Sequence, residues 1–143
     1  MNRSLKQIIE TIEEVAINSF SDEIKYVKFE RQKFTKKDKP FPQLTYFLAD
    51  TSLQIGQNSN KIGLRLMFVD QIVSKNDQDE YTKEVISDMY DLSSRFVSHL
   101  YKENRWSIDL PIALSNFVAK GADGNGGVEF DLFINLSKPC LTT

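Results

Sequence analysis

The chain has 143 residues, 41% hydrophobic and 27% charged, which predicts one soluble globular domain over residues 1–143 built on a single core. Eighteen basic side chains against 20 acidic ones leave a formal net charge of −2, so no global field draws in nucleic acid or an anionic membrane. A lone cysteine, Cys140, excludes an internal disulfide and a multi-cysteine zinc site.

The opening segment MNRSLKQIIETIEEVAINSF has no uninterrupted apolar stretch and no small-residue cleavage site, so no signal peptide is expected. No apolar run approaches the ~18 residues of a membrane helix. Leu5, Ile8, Ile9, Ile12, Val15 and Ala16 form one helical stripe and predict an amphipathic helix over 5–17. Ser4 and Gln7 stand at capping-box spacing before it.

A strand is expected over 24–34, IKYVKFERQKF, running into the proline- and lysine-bearing loop TKKDKPFP. Residues 43–50 read as a second strand with Leu44, Tyr46 and Leu48 on one face, and GQNSN at 56–60 as a turn or hairpin tip. In KIGLRLMFVD, Ile62, Leu64, Leu66 and Phe68 alternate with Gly63, Arg65, Met67 and Val69. Arg65 points to partial exposure or a partner surface. Met67, Val69 and Phe133 add more apolar strand surface than two helices cover, so part of it is expected to be buried between subunits.

A long helix is expected over 79–103. Val85, Met89, Leu92, Phe96 and Leu100 line its face, and Ile86, Val97 and Tyr101 broaden it. Asp77, Asp79 and Glu80 crowd its start while Lys102 and Arg105 close it, as the helix dipole favours. RWSIDLPIAL alternates as a strand, with Pro111 marking an edge or bulged one, and Val128, Phe130, Leu132, Ile134 and Leu136 alternate in the last strand. The order α-β-β-β-α-β-β predicts an α+β fold. Its mixed or antiparallel sheet has about five strands, with two helices on one face.

The search for chemistry yields little. Residues 119–140 hold four of the six glycines beside Asp123, Asn125, Glu129 and Asp131, an oxygen-rich set. Their spacing matches neither a calcium loop nor a phosphate loop. Asp-Gly and Asn-Gly between alternating segments instead predict a hairpin turn. His99 is a surface or boundary residue of the long helix, and Cys140 has no redox partner. Lys33, Lys36, Lys37 and Lys39 form the only basic cluster, read as a solvated loop. The expectation is a non-enzyme with no catalytic residues, metal or cofactor.

The strand WSIDLPIALSNF, a glycine-rich turn, GGVEFDLFINLSKPC, and FPQLTYFLAD followed by IGLRLMFVDQ carry a resemblance over most of the chain. In topology and style of sequence it resembles the head–tail connector and tail-terminator proteins of tailed bacteriophages, of the kind encoded in phages and prophages of Bacteroidetes-type hosts. The resemblance implies a structural virion protein, assembled in the host cytoplasm as a homo-oligomeric ring of six or twelve copies. Portal, neck or tail proteins are then its neighbours, and DNA is only non-specific channel content. It implies that loops and sheet edges make the contacts: the loop 36–42, the tip 51–60 and the turn 121–127. Lys36, Lys37 and Lys39 are then expected to meet Asp77, Asp79 and Glu80 of an adjacent copy, with Asp123 and Asn125 also at the interface. The competing expectation is a small monomeric intracellular protein-binding module without catalytic activity.

Overall fold

In the computed structural model, residues 5–30, 39–72, 78–103, 106–119 and 125–137 are described, with side chains for all of them except 49–52, 78–81, 118, 119 and 137. Ser4, Lys33, Lys36, Lys37, Asp77, Arg105, Asp123 and Cys140 lie outside this set.

Helix α1 covers Leu5–Ser19 and buries Ile8, Ile12, Val15 and Ala16, the stripe that its 3.6-residue period dictates. Helix α2 covers Gln78–Glu103 and buries Val85, Met89, Leu92, Phe96 and Leu100. Neither helix is long and apolar enough to cross a membrane. The strands are β1 (Tyr26–Phe29), β2 (Gln43–Ile55), β3 (Ser59–Gln71), β4 (Ser107–Ile108), β5 (Ser115–Ala119) and β6 (Asn125–Ser137). They form one mixed sheet in the order β1-β2-β3-β6-β4, with β5 also pairing β6. Among the described strands, β1–β2 is the parallel pair and the others are antiparallel.

The fold is therefore α+β, with both helices packed on one face of the sheet. Even-numbered residues of β3 and β6, among them Leu64, Leu66, Phe68, Phe130 and Leu132, enter the helix-side core. Phe96 of α2 is the hub. Its ring centroid lies 5.3 Å from that of Phe20 and 5.5 Å from that of Phe68, and Phe68 in turn stacks on Phe130 at 6.0 Å. Rings at these separations add to the free energy of burying their area. The Tyr46 hydroxyl donates to the Ile9 carbonyl at 2.9 Å, a polar link between β2 and α1.

Three strand expectations are corrected. First, of the described part of the strand expected over 24–34, Tyr26–Phe29 are in pairing register, with Glu30 N–H donating to the Tyr46 carbonyl beyond them, while residues 31–34 lie outside the described set. Second, the single strand expected around Pro111 is two. The chain pairs with β6 at Ser107 and Ile108, leaves the ladder, and returns to β6 at Ser115. Pro111 has no N–H for a ladder, and its bond to Leu110 is cis. Third, Met67 and Val69 are fully buried within one chain, together with Gln43, Thr45 and Asn125. They lie on the face away from the helices, yet they are no surface for a neighbour.

Candidate interaction surface

Two features expose apolar side chains. The first is the β2–β3 hairpin tip. Up to Leu48, β2 and β3 pair one to one; then four residues of β2, between Leu48 and Leu53, stand against one of β3, Gly63, between Leu64 and Ile62. Such an irregularity offsets the two-residue alternation. Before it, Leu44, Tyr46 and Leu48 face the helix side; after it, Leu53 stands opposite Ile62 and Ile55 opposite Asn60. The helices do not cover this end, so Leu53 is 58% and Ile55 87% exposed. Gly56 makes the turn: its N–H donates to the Ser59 carbonyl at 3.0 Å, and a Cβ there would overlap that same oxygen. The turn proper is thus shorter than the expected tip of 51–60, whose first five residues belong to β2.

The second feature is a groove of about 260 Å³ between α2 and the segment joining β4 to β5. Val97, Tyr90 and Tyr101 line it from the helix, and Leu110, Ile112 and Leu114 from the segment. Leu110 is 60%, Tyr90 57% and Tyr101 48% exposed. The break in the strand is what creates this wall, because it lifts Leu110 out of the ladder. Among the described residues, five of the six exposed large hydrophobics belong to the tip or the groove; the sixth is Ile17 on α1.

Several charged groups elsewhere pair with one another. On the face away from the helices, Arg65 donates through Nε and Nη2 to the two Asp131 oxygens at 2.8 and 2.9 Å, directly across the β3–β6 register. That contact raises the Arg65 pKa above its ordinary value. Lys61 and Asn135 both donate to Asp109 at 2.7 Å, holding its carboxyl below the usual range. Arg65 was expected to be partly exposed or to meet a partner. It is partly exposed and already carries a carboxylate of its own chain.

A second cleft is acidic, lined by Asp22, Glu23, Asp70, Asp88 and Asp91 around Arg95. Arg95 reaches both oxygens of Glu23, at 2.7 and 2.6 Å, and one of Asp91 at 2.8 Å. Its guanidinium holds Glu23 below the ordinary carboxylate range, while burial pushes the Asp70 carboxyl up. The arginine thus contacts two of the five carboxylates and offsets one unit of their negative charge.

The expected interface residues are not gathered at one place. Lys39 is exposed just before β2, and its carbonyl accepts from Gln43 Nε2 at 3.2 Å. Asp79 and Glu80 stand in the first turn of α2. Asn125 was expected in a turn at the interface. It is instead the first residue of β6, paired to both Gln71 and Ala119, and buried. β5 and β6 form the antiparallel pair expected on either side of the glycine cluster, with Ala119 opposite Asn125 at its end; residues 120–124 lie outside the described set, and Asn125, Gly126 and Gly127 of the expected turn 121–127 belong to β6. His99 is a boundary residue, its ring edge-on to Phe20 at 5.8 Å. The groove is absent from the sequence reading. Its one available signal was Pro111, which marked the break but not where the displaced side chains go. Compared with known proteins, the chain matches no protein-family model and no curated protein.

Proposed function

We propose that the chain is a structural virion protein of a tailed bacteriophage, one subunit of a ring of six or twelve copies around the DNA channel at the head–tail junction, as connector or tail terminator. In this reading the ring assembles in the host cytoplasm, contacts portal, neck or tail proteins, and performs no catalysis. Lys36, Lys37 and Lys39 of one copy face Asp77, Asp79 and Glu80 of the next. The observation that carries the reading is the projecting β2–β3 tip, with Leu53 and Ile55 largely in solvent beyond the reach of the helices. Apolar side chains placed on a protruding hairpin gain nothing for the isolated chain and are suited to association. A closed ring needs two unlike surfaces per copy, and the tip and groove differ in shape and position.

The test is native mass spectrometry over a concentration series, with negative-stain images of large species. Closed six- or twelve-fold rings are the expected result. A monomer at every concentration would replace the ring by the monomeric binding module, with the groove as its peptide site.

A further inference from the structure

We propose that the β2–β3 tip of one copy seats Ile55 and Leu53 in the groove between α2 and the 109–114 segment of the next copy. The proposal rests on the ring reading and specifies which surfaces meet. Its basis is the distribution of exposed apolar side chains. Nearly all the large ones among the described residues fall into two clusters, one protruding and one recessed.

The two clusters cannot satisfy each other within one chain. Ile55 pairs opposite Asn60, whereas Phe130 in the groove floor pairs opposite Leu66, six residues further along β3. That is roughly 20 Å along the strand. The tip strand β2 and the groove strand β5 are also three sheet positions apart, on opposite sides of the β3–β6 pair, a further ~14 Å. A second copy is the occupant that brings the two together.

Size agrees. An apolar cavity of ~150 Å³ accommodates a benzene molecule, so a groove of about 260 Å³ admits the branched side chain of Ile55 with part of Leu53 beside it. The groove lining is mostly apolar, through Val97, Ile112 and Phe130 with the two tyrosines, and Ser93, Ser94 and Ser98 of α2 add a few polar groups, a composition that suits an apolar anchor. Because tip and groove are different surfaces, the contact is head-to-tail and leaves a free tip and a free groove on every dimer. Such a contact builds a ring when its rotation closes.

Two sets of variants test this in the full chain: Leu53→Asp with Ile55→Asp at the tip, and Leu110→Asp or, separately, Tyr101→Glu at the groove. All four sites are about half or more exposed, and circular dichroism with thermal unfolding checks that each variant keeps the native fold. Each variant alone is expected to associate roughly 30-fold more weakly than the parent chain, or not at all, in native mass spectrometry. An equimolar mixture of a tip variant and a groove variant is expected to give a 1:1 dimer and nothing larger, since one intact tip meets one intact groove. Rings formed by either variant alone, or a mixture that stays monomeric, would overturn this contact while the ring reading stands. A parent chain that never associates overturns both.

Discussion

At Gly127 the β6 backbone passes so close to β3 that a Cβ would overlap the Phe68 carbonyl oxygen and lie 2.9 Å from its carbonyl carbon. Both obstacles are backbone atoms of a strand paired to β6, so they cannot swing aside as a side chain would. Gly127→Ala is expected to destabilise the fold by about 1–3 kcal/mol, the usual range for forcing extra volume into a packed site. The midpoint of urea unfolding measures it, and an unchanged midpoint would mean that the strands separate at little cost.

Tyr46 illustrates a different constraint. Burial raises its pKa above the ordinary tyrosine value of 10.0, and the hydroxyl proton is held by the Ile9 carbonyl. The folded chain therefore keeps a proton that the unfolded chain releases near pH 10. Its contribution to stability is complete below that pH and falls as pH rises above it. Tyr46→Phe is expected to cost about 1 kcal/mol at neutral pH and to flatten the decline in stability above about pH 10. Unfolding midpoints on both sides of pH 10 decide the matter; parallel pH profiles for the two proteins would show that Tyr46 does not control it.

Among the elements, the helices are joined by a clip that operates at the surface. Glu23, just after α1, meets Arg95 of α2, and the lowered Glu23 pKa means that this link is complete above the ordinary carboxylate value of 4.5 and is lost as pH falls through the lower folded value. Both side chains are more than a third exposed, so the contact is screened and worth well under 1 kcal/mol. Arg95→Met is expected to lower stability slightly at pH 7 in low salt, with the difference shrinking in acid and in high salt. Urea titrations under the three conditions check it; a loss that persists in acid would point to lost packing of the arginine stem instead.

The elements also differ in how far their sequences reveal them. Helix α2 was readable almost to its ends, because its apolar residues recur with the helical period from Val85 to Leu100 and that face is buried. The β4–β5 region was not. Ile108, Leu110, Ile112 and Leu114 continue an alternating pattern through Pro111, and alternation reports which side chains avoid water without saying whether a neighbour strand is in register. Here Ile108 pairs and packs in the core, whereas Leu110 projects into solvent at the groove.

For the whole molecule, the α+β class and the helices on one face follow from the order of periodic segments, which is a property of the sequence alone. The interior position of β6, with β3 on one side and both β4 and β5 on the other, arises from long-range pairing that no local pattern encodes. The candidate surface was legible only in part. Residues 51–60 were expected to form a tip, and they do end in one, but the direction of Leu53 and Ile55 depends on the register offset after Leu48. The burial of Met67 and Val69 within the chain likewise depends on what folds over the second sheet face, which strand alternation does not specify.

The offset in β2 separates two properties that a regular strand would tie together. Residues 43–48 are fixed by the core, whereas the aim of residues 53–55 is set by their own pairing opposite Ile62 and Asn60, beyond the irregularity. Adding or removing one residue between Leu48 and Leu53 is absorbed by that irregular interval, so the ladder on either side keeps its register and no core side chain is altered. Chain length at this joint is therefore a tolerance. A lineage of such proteins can gain or lose residues there while the exposed tip keeps its aim and the framework that holds the hairpin stays as it is.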